Sequence, residues 1–448
     1  MEKLSKKDLL LVSFMLFSMF FGAGNLIFPP LLGQLSGTNL VFSLGGFLLS
    51  AVGLPILAVA TVAKANGLQS VASHVGKTFA LVFTILIYLS IGPFLGIPRA
   101  GSLAFEMGIK PFLPDSLNAS AMPLLAYTLC YFALAFWLSL KPSKLMDRLG
   151  KVLTPCILIL IASIFIASIL NPIGAFSTPT SSYSGNPVLR GFLDGYMTMD
   201  AIAALNFGIV IAFTLKERGV NSEKGLISNT IKAGVIAGFV LTVIYIILSY
   251  LGASAQEALG PVENGAQSLT NIVLYLFGSK GIIILSILFS LACLSTSVGL
   301  ITSCSKYFTT IIPKVSYKTC VSVLCLSSML FSNVGLNKIL KFSIPMLNII
   351  YPMAIVLILL PFAHNLFKGY RQVYQFCMLF TSIFSVLSGL EGFGLNISFL
   401  QAFPLASEGL VWVIPSIVGA VIGFVFGLIE DKNARTEMQE QKCENEDF

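Results

Sequence analysis

The chain has 448 residues, of which 56% are hydrophobic and 10% charged, with a mean hydropathy of +0.89. A soluble domain carries about 25% charge, so this chain cannot make the polar skin its size demands; soluble enzymes, nucleic-acid binders and disordered chains are disfavoured. The net charge of +7 therefore poses a topological question, namely which side of a lipid bilayer holds the basic residues.

Cysteine and histidine usage narrows the chemistry. The eight cysteines include no CxxC pair, which argues against a zinc site or a disulfide framework. The two histidines, His74 and His364, fall in a loop and at a span end. Both read as surface groups rather than ligands.

Apolar stretches recur near 9–34, 39–63, 79–100, 122–140, 149–170, 191–215, 227–251, 281–305, 319–334, 342–363, 372–390 and 409–429. A membrane helix takes about 20 residues, and backbone groups in hydrocarbon must bond internally. The pattern predicts an all-α integral membrane protein with twelve transmembrane helices. A barrel would instead alternate in segments of about ten residues. With the N-terminus placed inside, 20 lysines and arginines fall in inner segments and 5 in outer ones. That asymmetry predicts a multi-pass protein with both termini cytoplasmic.

The start, Met1 to Asn25, has the basic, apolar and small-residue regions of a signal peptide. Apolar character resumes at once through Leu32, so the segment is expected to remain as the first span. That span reads Phe20-Phe21-Gly22-Ala23-Gly24-Asn25-Leu26-Ile27-Phe28-Pro29-Pro30. Glycine permits unusual dihedrals and proline donates no amide hydrogen. An unwound segment over Gly22 to Asn25 follows, with close packing of small residues as the plain alternative.

Further along, Arg99 and Glu106 are seven residues apart and share a helix face if the helix continues. Arg99 pairs with Glu106 or Asp200, or snorkels to the outer surface. The sixth span reads Asp194-Gly195-Tyr196-Met197-Thr198-Met199-Asp200, with Asp200 at apparent membrane depth. A carboxylate there is costly and marks function by default. A polar segment ahead of the eighth span, with an amphipathic stretch to Phe277, is expected as a short helix over the outer face. Within that span, Ala292-Cys293-Leu294-Ser295-Thr296 offers hard oxygen donors, or hydroxyls bonded to their own helix. The polar end from Glu430 is expected to be solvated and partly disordered.

Spans one and six each open a five-helix set, and paired interruptions at corresponding positions point to a transporter binding site. A half-helix N-terminus suits a carboxylate; freed carbonyls suit an ammonium group or Na⁺. A zwitterionic amino acid with its ion fits both.

These segments resemble the branched-chain amino acid transport system II carriers, bacterial Na⁺-coupled symporters for leucine, isoleucine and valine. Phe21 to Pro30 carries the most specific match, supported by Gly195-Tyr196, Thr198-Met199-Asp200, Phe207-Gly208, Ala292-Cys293-Leu294, Pro98-Arg99 and Glu106. The resemblance implies a leucine-transporter-like fold and no enzyme activity. Inverted repeats would cover about 9–170 and 191–363, with two extra helices about 372–429. All would form one domain, 1–430, before a cytoplasmic tail, 431–448.

By the same resemblance, the substrate carboxylate sits at the Ala23 and Gly24 amides, with Gly22 also in the substrate site. The amine faces Thr198, Met199 and Asp200. Na⁺, the coupling ion and sole cofactor-like partner, lies among Ser18, Phe21, Ala292, Ser295 and Thr296. Asn25 serves a second ion or the carboxylate region, and Arg99, Glu106 and Asp194 are candidates for gating or coupling. Ala100-Gly101-Ser102 and Asn206 depart from the family pattern and bear on substrate range, which methionine, close to leucine in volume, extends. The expected activity is import across the bacterial cytoplasmic membrane by alternating access. Two alternatives stay open: H⁺ coupling through Asp200, Asp194 or Glu106, and a membrane sensor that does not transport.

Overall fold

The computed structural model describes residues 4–446 apart from 66, 115, 116, 118, 119, 263 and 407, with side chains to Asn433. Lys3 and the side chains of Arg435, Lys442 and Cys443 lie outside that description. Among the described residues there is no strand. Within them, nine helical stretches are long and apolar enough to cross a bilayer, and a tenth is a pair bent by 43°.

In chain order the first helices are α1 (Lys6–Phe20), α2 (Ala23–Ser36), α3 (Leu40–Leu48), α4 (Leu54–Lys64), α5 (Lys77–Leu89) and α6 (Gly96–Gly108). Then come α7 (Met122–Ser139), α8 (Thr154–Leu170), α9 (Pro187–Tyr196), α10 (Asp200–Glu217) and α11 (Glu223–Leu259). The remainder are α12 (Gly265–Phe277), α13 (Gly281–Ile311), α14 (Tyr317–Ser332), α15 (Leu336–Ala363), α16 (Arg371–Gly392) and α17 (Val413–Glu446). Side-chain caps fix several starts: Ser5 accepts from the Asp8 amide, Ser222 from Gly225, Asn264 from Gln267 and Ser316 from Thr319. Each satisfies an amide that the helix cannot.

The chain forms two compact units, Met1–Leu68 with Ile85–Ile344, and Gln69–Thr84 with Pro345–Phe448. The first unit holds both interrupted spans. Its helices approach through glycine. A methyl on Gly33 of α2 would overlap the Ser249 carbonyl of α11, and one on Gly252 of α11 the Pro30 carbonyl of α2. α12, the short helix expected from the amphipathic stretch, meets α2 in the same way, with Gly265 against the Ile27 carbonyl. α9 lies as closely on α3, with Gly191 against the Ser43 carbonyl and Gly46 against that of Val188. In hydrocarbon, where lipid tails already solvate apolar side chains, such backbone contact supplies the packing energy.

The second unit pairs α16 with α17, where Phe376 and Phe426 stack at 5.1 Å. The two histidines, read from the sequence as separate surface groups, meet within this unit. The His74 ring stacks on Tyr374 at 5.0 Å, and His364 Nδ1 lies 2.9 Å from the Tyr374 hydroxyl. α17 continues through the polar end to Glu446, where a partly disordered tail was expected. That segment is rich in Glu, Lys, Gln, Arg and Met, all strong helix formers.

A third irregularity was not anticipated from the sequence. Between α5 and α6 the chain widens over Ser90–Phe94, and Gly92 has φ −78° and ψ −112°. Pro93 lies inside this segment and withholds an amide from the ladder.

Candidate functional site

The first break is shorter than the sequence suggests. Only Phe21 (φ −72°, ψ 92°) and Gly22 (φ −128°, ψ −151°) are extended between α1 and α2. Ala23, Gly24 and Asn25 already form the first turn of α2. Asn25 explains the difference, since its Oδ1 accepts from the Gly22 amide at 2.9 Å and closes that turn. Gly22 is needed for close approach: a methyl there would lie 2.6 Å from Thr296 Oγ1. Pro29 and Pro30 sit inside α2 without ending it. They leave the carbonyls one turn earlier without a helical donor.

The second break spans residues 197–199, between Tyr196 of α9 and Asp200 of α10. Met199 holds a left-handed φ of 69°, which costs a non-glycine residue roughly 1–2 kcal/mol. Strain of this kind persists where surrounding structure enforces it, and it gathers at ligand sites. Asp200 thus opens α10, with its carboxylate at the positive end of the helix dipole.

One hydrogen-bonded cluster ties the two breaks together. Asn25 Nδ2 donates to Asp200 Oδ2 at 2.6 Å and also to the Tyr245 hydroxyl. Tyr245 Oη in turn donates to the same Oδ2 at 2.9 Å. All three residues are buried, and the Phe47 ring meets the Tyr245 ring edge-on at 5.3 Å. Tyr245, on α11, was not singled out from the sequence. Its only signal there is a phenol within an apolar run, which Tyr250 shares.

On α13, Ser295 Oγ donates to the Ser18 carbonyl at 2.8 Å and to the Ala292 carbonyl at 2.9 Å. Ser18 Oγ and Thr296 Oγ1 are buried with no hydrogen-bond partner among the described residues. The Phe21 carbonyl belongs to neither helical ladder. The structure thus draws Ser18, Ala292 and Ser295 together, and sets Thr296 against Gly22.

A cavity of about 30 Å³ lies at the junction. Its polar lining includes Asn25, Arg99, Thr198, Asp200 and Thr296, and its apolar lining Phe20, Ile91, Ala100, Ala203 and Leu300. That volume has room for only one or two waters. Arg99 of α6 donates from Nη1 to the Met197 carbonyl at 3.2 Å.

Glu106 and Asp194 take no part in the cavity lining. Glu106 pairs at 2.7 Å with Lys110, just past the end of α6, rather than with Arg99. Asp194 accepts from the Tyr183 hydroxyl and meets Arg190 Nη2 at 3.1 Å. Burial, with the Asp194 carboxylate beside it, pushes the Tyr183 hydroxyl far above its usual pKa, so it stays a donor. Asn206 is fully buried, and its side-chain amide has no partner among the described residues. Its carbonyl accepts from Ser303 Oγ at 2.6 Å.

Solved structures share this fold. The crystal structure of MhsT in complex with L-phenylalanine aligns with a TM-score of 0.57 at 17% identity, covering 93% of this chain and 98% of that one. Mhp1, a nucleobase-cation-symport-1 family transporter with bromovinylhydantoin bound, aligns with a TM-score of 0.55 at 13% identity, covering 93% and 91%. An all-helical architecture with two broken spans and a buried polar cavity among the described residues thus belongs to the leucine-transporter-like fold of multi-pass membrane proteins.

Sequence relatives narrow the class. Residues 5–430 match the family described as "Branched-chain amino acid transport protein". The branched-chain amino acid permease BraB of Bacillus subtilis is 45% identical over 95% of this chain and 97% of its own length. BrnQ of the same organism is 44% identical, over 97% and 100%, and BrnQ of Escherichia coli 36%, over 95% and 97%. The chain belongs to the branched-chain amino acid transport family, whose members are permeases rather than enzymes.

Proposed function

We propose that this chain is a Na⁺-coupled symporter that imports leucine, isoleucine and valine across the bacterial cytoplasmic membrane by alternating access, with methionine as a further substrate. The observation that carries the coupling ion is the oxygen cluster between α1 and α13. Ser295 Oγ bonds the Ser18 and Ala292 carbonyls, and the unpartnered Thr296 Oγ1 is buried against Gly22. Carbonyl and hydroxyl oxygens are the hard donors an alkali cation takes, and a buried unpartnered hydroxyl costs about 1–3 kcal/mol until something meets it. In this reading Na⁺ sits among the carbonyls of Ser18, Phe21 and Ala292 and the hydroxyls of Ser295 and Thr296.

The substrate lies at the neighbouring junction. Its carboxylate faces the start of α2 at Gly22, Ala23 and Gly24, and its amine faces Thr198, Met199 and Asp200. Phe20, Ile91, Ala100 and Leu300 supply an apolar wall for a branched side chain. Such a wall separates one methylene by only about 1–3 kcal/mol, which is why methionine is included. Twelve spans arranged as inverted five-helix repeats, with both termini cytoplasmic, complete the proposal; the 20-to-5 division of basic residues supports that orientation.

Uptake of labelled leucine into proteoliposomes, with and without an inward Na⁺ gradient, tests the coupling. Na⁺-dependent uptake is expected, and Thr296→Ala should raise the Na⁺ concentration required without changing the order of preferred side chains. Uptake indifferent to Na⁺ would sink the claim. A second reading, H⁺ coupling, has one observation in its favour, the buried Asp200 carboxylate. Stimulation by acid outside, persisting in choline medium and lost in Asp200→Asn, would establish it instead.

A further inference from the structure

Two opposite charges line the cavity at the breaks. Arg99 is 7% exposed and Asp200 2%. A buried charge is expensive unless something answers it. Asp200 is fixed by Asn25 and Tyr245, which both donate to Oδ2. Arg99 is fixed by its bond from Nη1 to the Met197 carbonyl. That bond places the other end of the guanidinium against the first turn of α2: a methyl on Gly24 would lie 3.1 Å from Nη2.

Two independent sources of positive potential therefore converge on one wall of the cavity. One is the guanidinium, whose planar fork matches a carboxylate. The other is the start of α2, where the amides of Ala23 and Gly24 have no acceptor within the helix. Asp200 supplies the negative potential in the same space. We propose that Arg99 is a substrate-binding residue, holding the α-carboxylate together with the first amides of α2 while Asp200 faces the α-ammonium, so that the cavity selects zwitterions. The proposal rests on the reading of this chain as an amino acid carrier and adds the residue that reads the carboxylate.

Charge balance carries the argument further. Arg99 and Asp200 together are neutral, and a zwitterion adds no net charge to the cavity. Leucinamide lacks the group that Arg99 binds, and 4-methyl-2-oxopentanoate lacks the group that Asp200 faces. Each would forgo one of the two charged contacts the cavity offers a zwitterion. A site built to bond a group rejects the analogue that lacks it by orders of magnitude.

The test is direct binding to the purified full-length protein in detergent, because binding is measurable even in variants that do not transport. Labelled leucine is displaced by unlabelled leucine, leucinamide and 4-methyl-2-oxopentanoate in Na⁺ medium. Wild type should bind leucine at least about 100-fold more tightly than either analogue. In Arg99→Gln, leucine affinity should fall most of the way toward that of leucinamide, the α2 amides keeping the remainder, while leucinamide affinity is unchanged; leucine-induced thermal stabilisation reads both where displacement is too weak. Arg99→Lys, which keeps the charge and loses the fork, should fall between.

Equal affinity of wild type for leucine and leucinamide would overturn the proposal without any variant. So would an equal loss of both ligands in Arg99→Gln and Arg99→Lys, which is what a purely structural or gating role produces. In both cases wild type still binds leucine and the carrier reading stands. Failure of wild type to bind any amino acid overturns that reading and the proposal with it.

Discussion

Gly22→Ala puts the packing at the first break to a quantitative test. The new methyl would lie 2.6 Å from Thr296 Oγ1, 3.0 Å from its Cβ and 3.2 Å from its Cγ2. Gly22 itself has φ −128°, on the side that alanine adopts, so the main cost is the clash with Thr296. Threonine is stiff about χ1 and Thr296 sits mid-way along α13, so the clash cannot be relieved by one side chain swinging aside. Overpacking of this kind costs about 1–3 kcal/mol. Where that cost is paid in the transport cycle, leucine uptake falls roughly fivefold to 150-fold. Thr296→Ala removes Oγ1 and Cγ2 and leaves only the contact to Cβ. The double variant should therefore unfold at a higher temperature than Gly22→Ala alone, with a coupling of about 0.5–3 kcal/mol. The assay is thermal unfolding of wild type, both single variants and the double variant in one detergent, followed by circular dichroism. Strictly additive shifts would refute the packing argument. Uptake separates the roles, because under the proposed Na⁺ coupling the double variant should regain stability without regaining Na⁺-driven uptake.

Two further outcomes follow from the same geometry. Asn25→Asp replaces the donor shared by Asp200 and Tyr245 with a second carboxylate and should destabilise the protein by about 1–3 kcal/mol, read as a lowered unfolding midpoint; an unchanged midpoint would show that the bridge between the breaks is not structural. Gly33→Ala drives a methyl into the Ser249 carbonyl and should abolish the monodisperse peak in size-exclusion chromatography, whereas Gly45→Ala, with no atom within 4 Å of the added carbon, should leave it intact.

The two breaks were legible because their causes are local. Glycine, proline and an aspartate in an apolar run announce a failed helix to anyone reading the chain. The exact extent of the first break was not legible, since it depends on the Asn25 side chain turning back to cap Gly22. The partners of Asp200 were hidden for a different reason. Asn25 is 175 residues away and Tyr245 is 45, and nothing in the spacing selects that tyrosine over its neighbours. The Glu106 pairing, by contrast, lay in plain view four residues along at Lys110. It was passed over in favour of a longer-range partner. The widened turn at Ser90–Phe94 was also signalled, by Gly92 and Pro93, but one glycine and one proline are common in membrane helices. Arg99 stood out as a charge in the wrong place, yet only the fold shows it beside the first turn of α2.

The glycine contacts of α2 and α9 have a mechanical consequence. α2 presses backbone to backbone on α11 and α12, and α9 does the same on α3. Across such seams a sliding motion drives carbonyl oxygens into α-carbons, so these two half-helices resist displacement. At the first break α1 is gripped too, with Gly150 against the Leu11 carbonyl, but past the second break Gly208 of α10 faces only the side chain of Val62. Contact is thus unevenly shared across the second break, with α9 held backbone to backbone on one side, α10 cushioned by a side chain on the other, and residues 197–199 between them. The cavity sits against this joint, so whatever fills it bears on the place where backbone contact gives way to side chains.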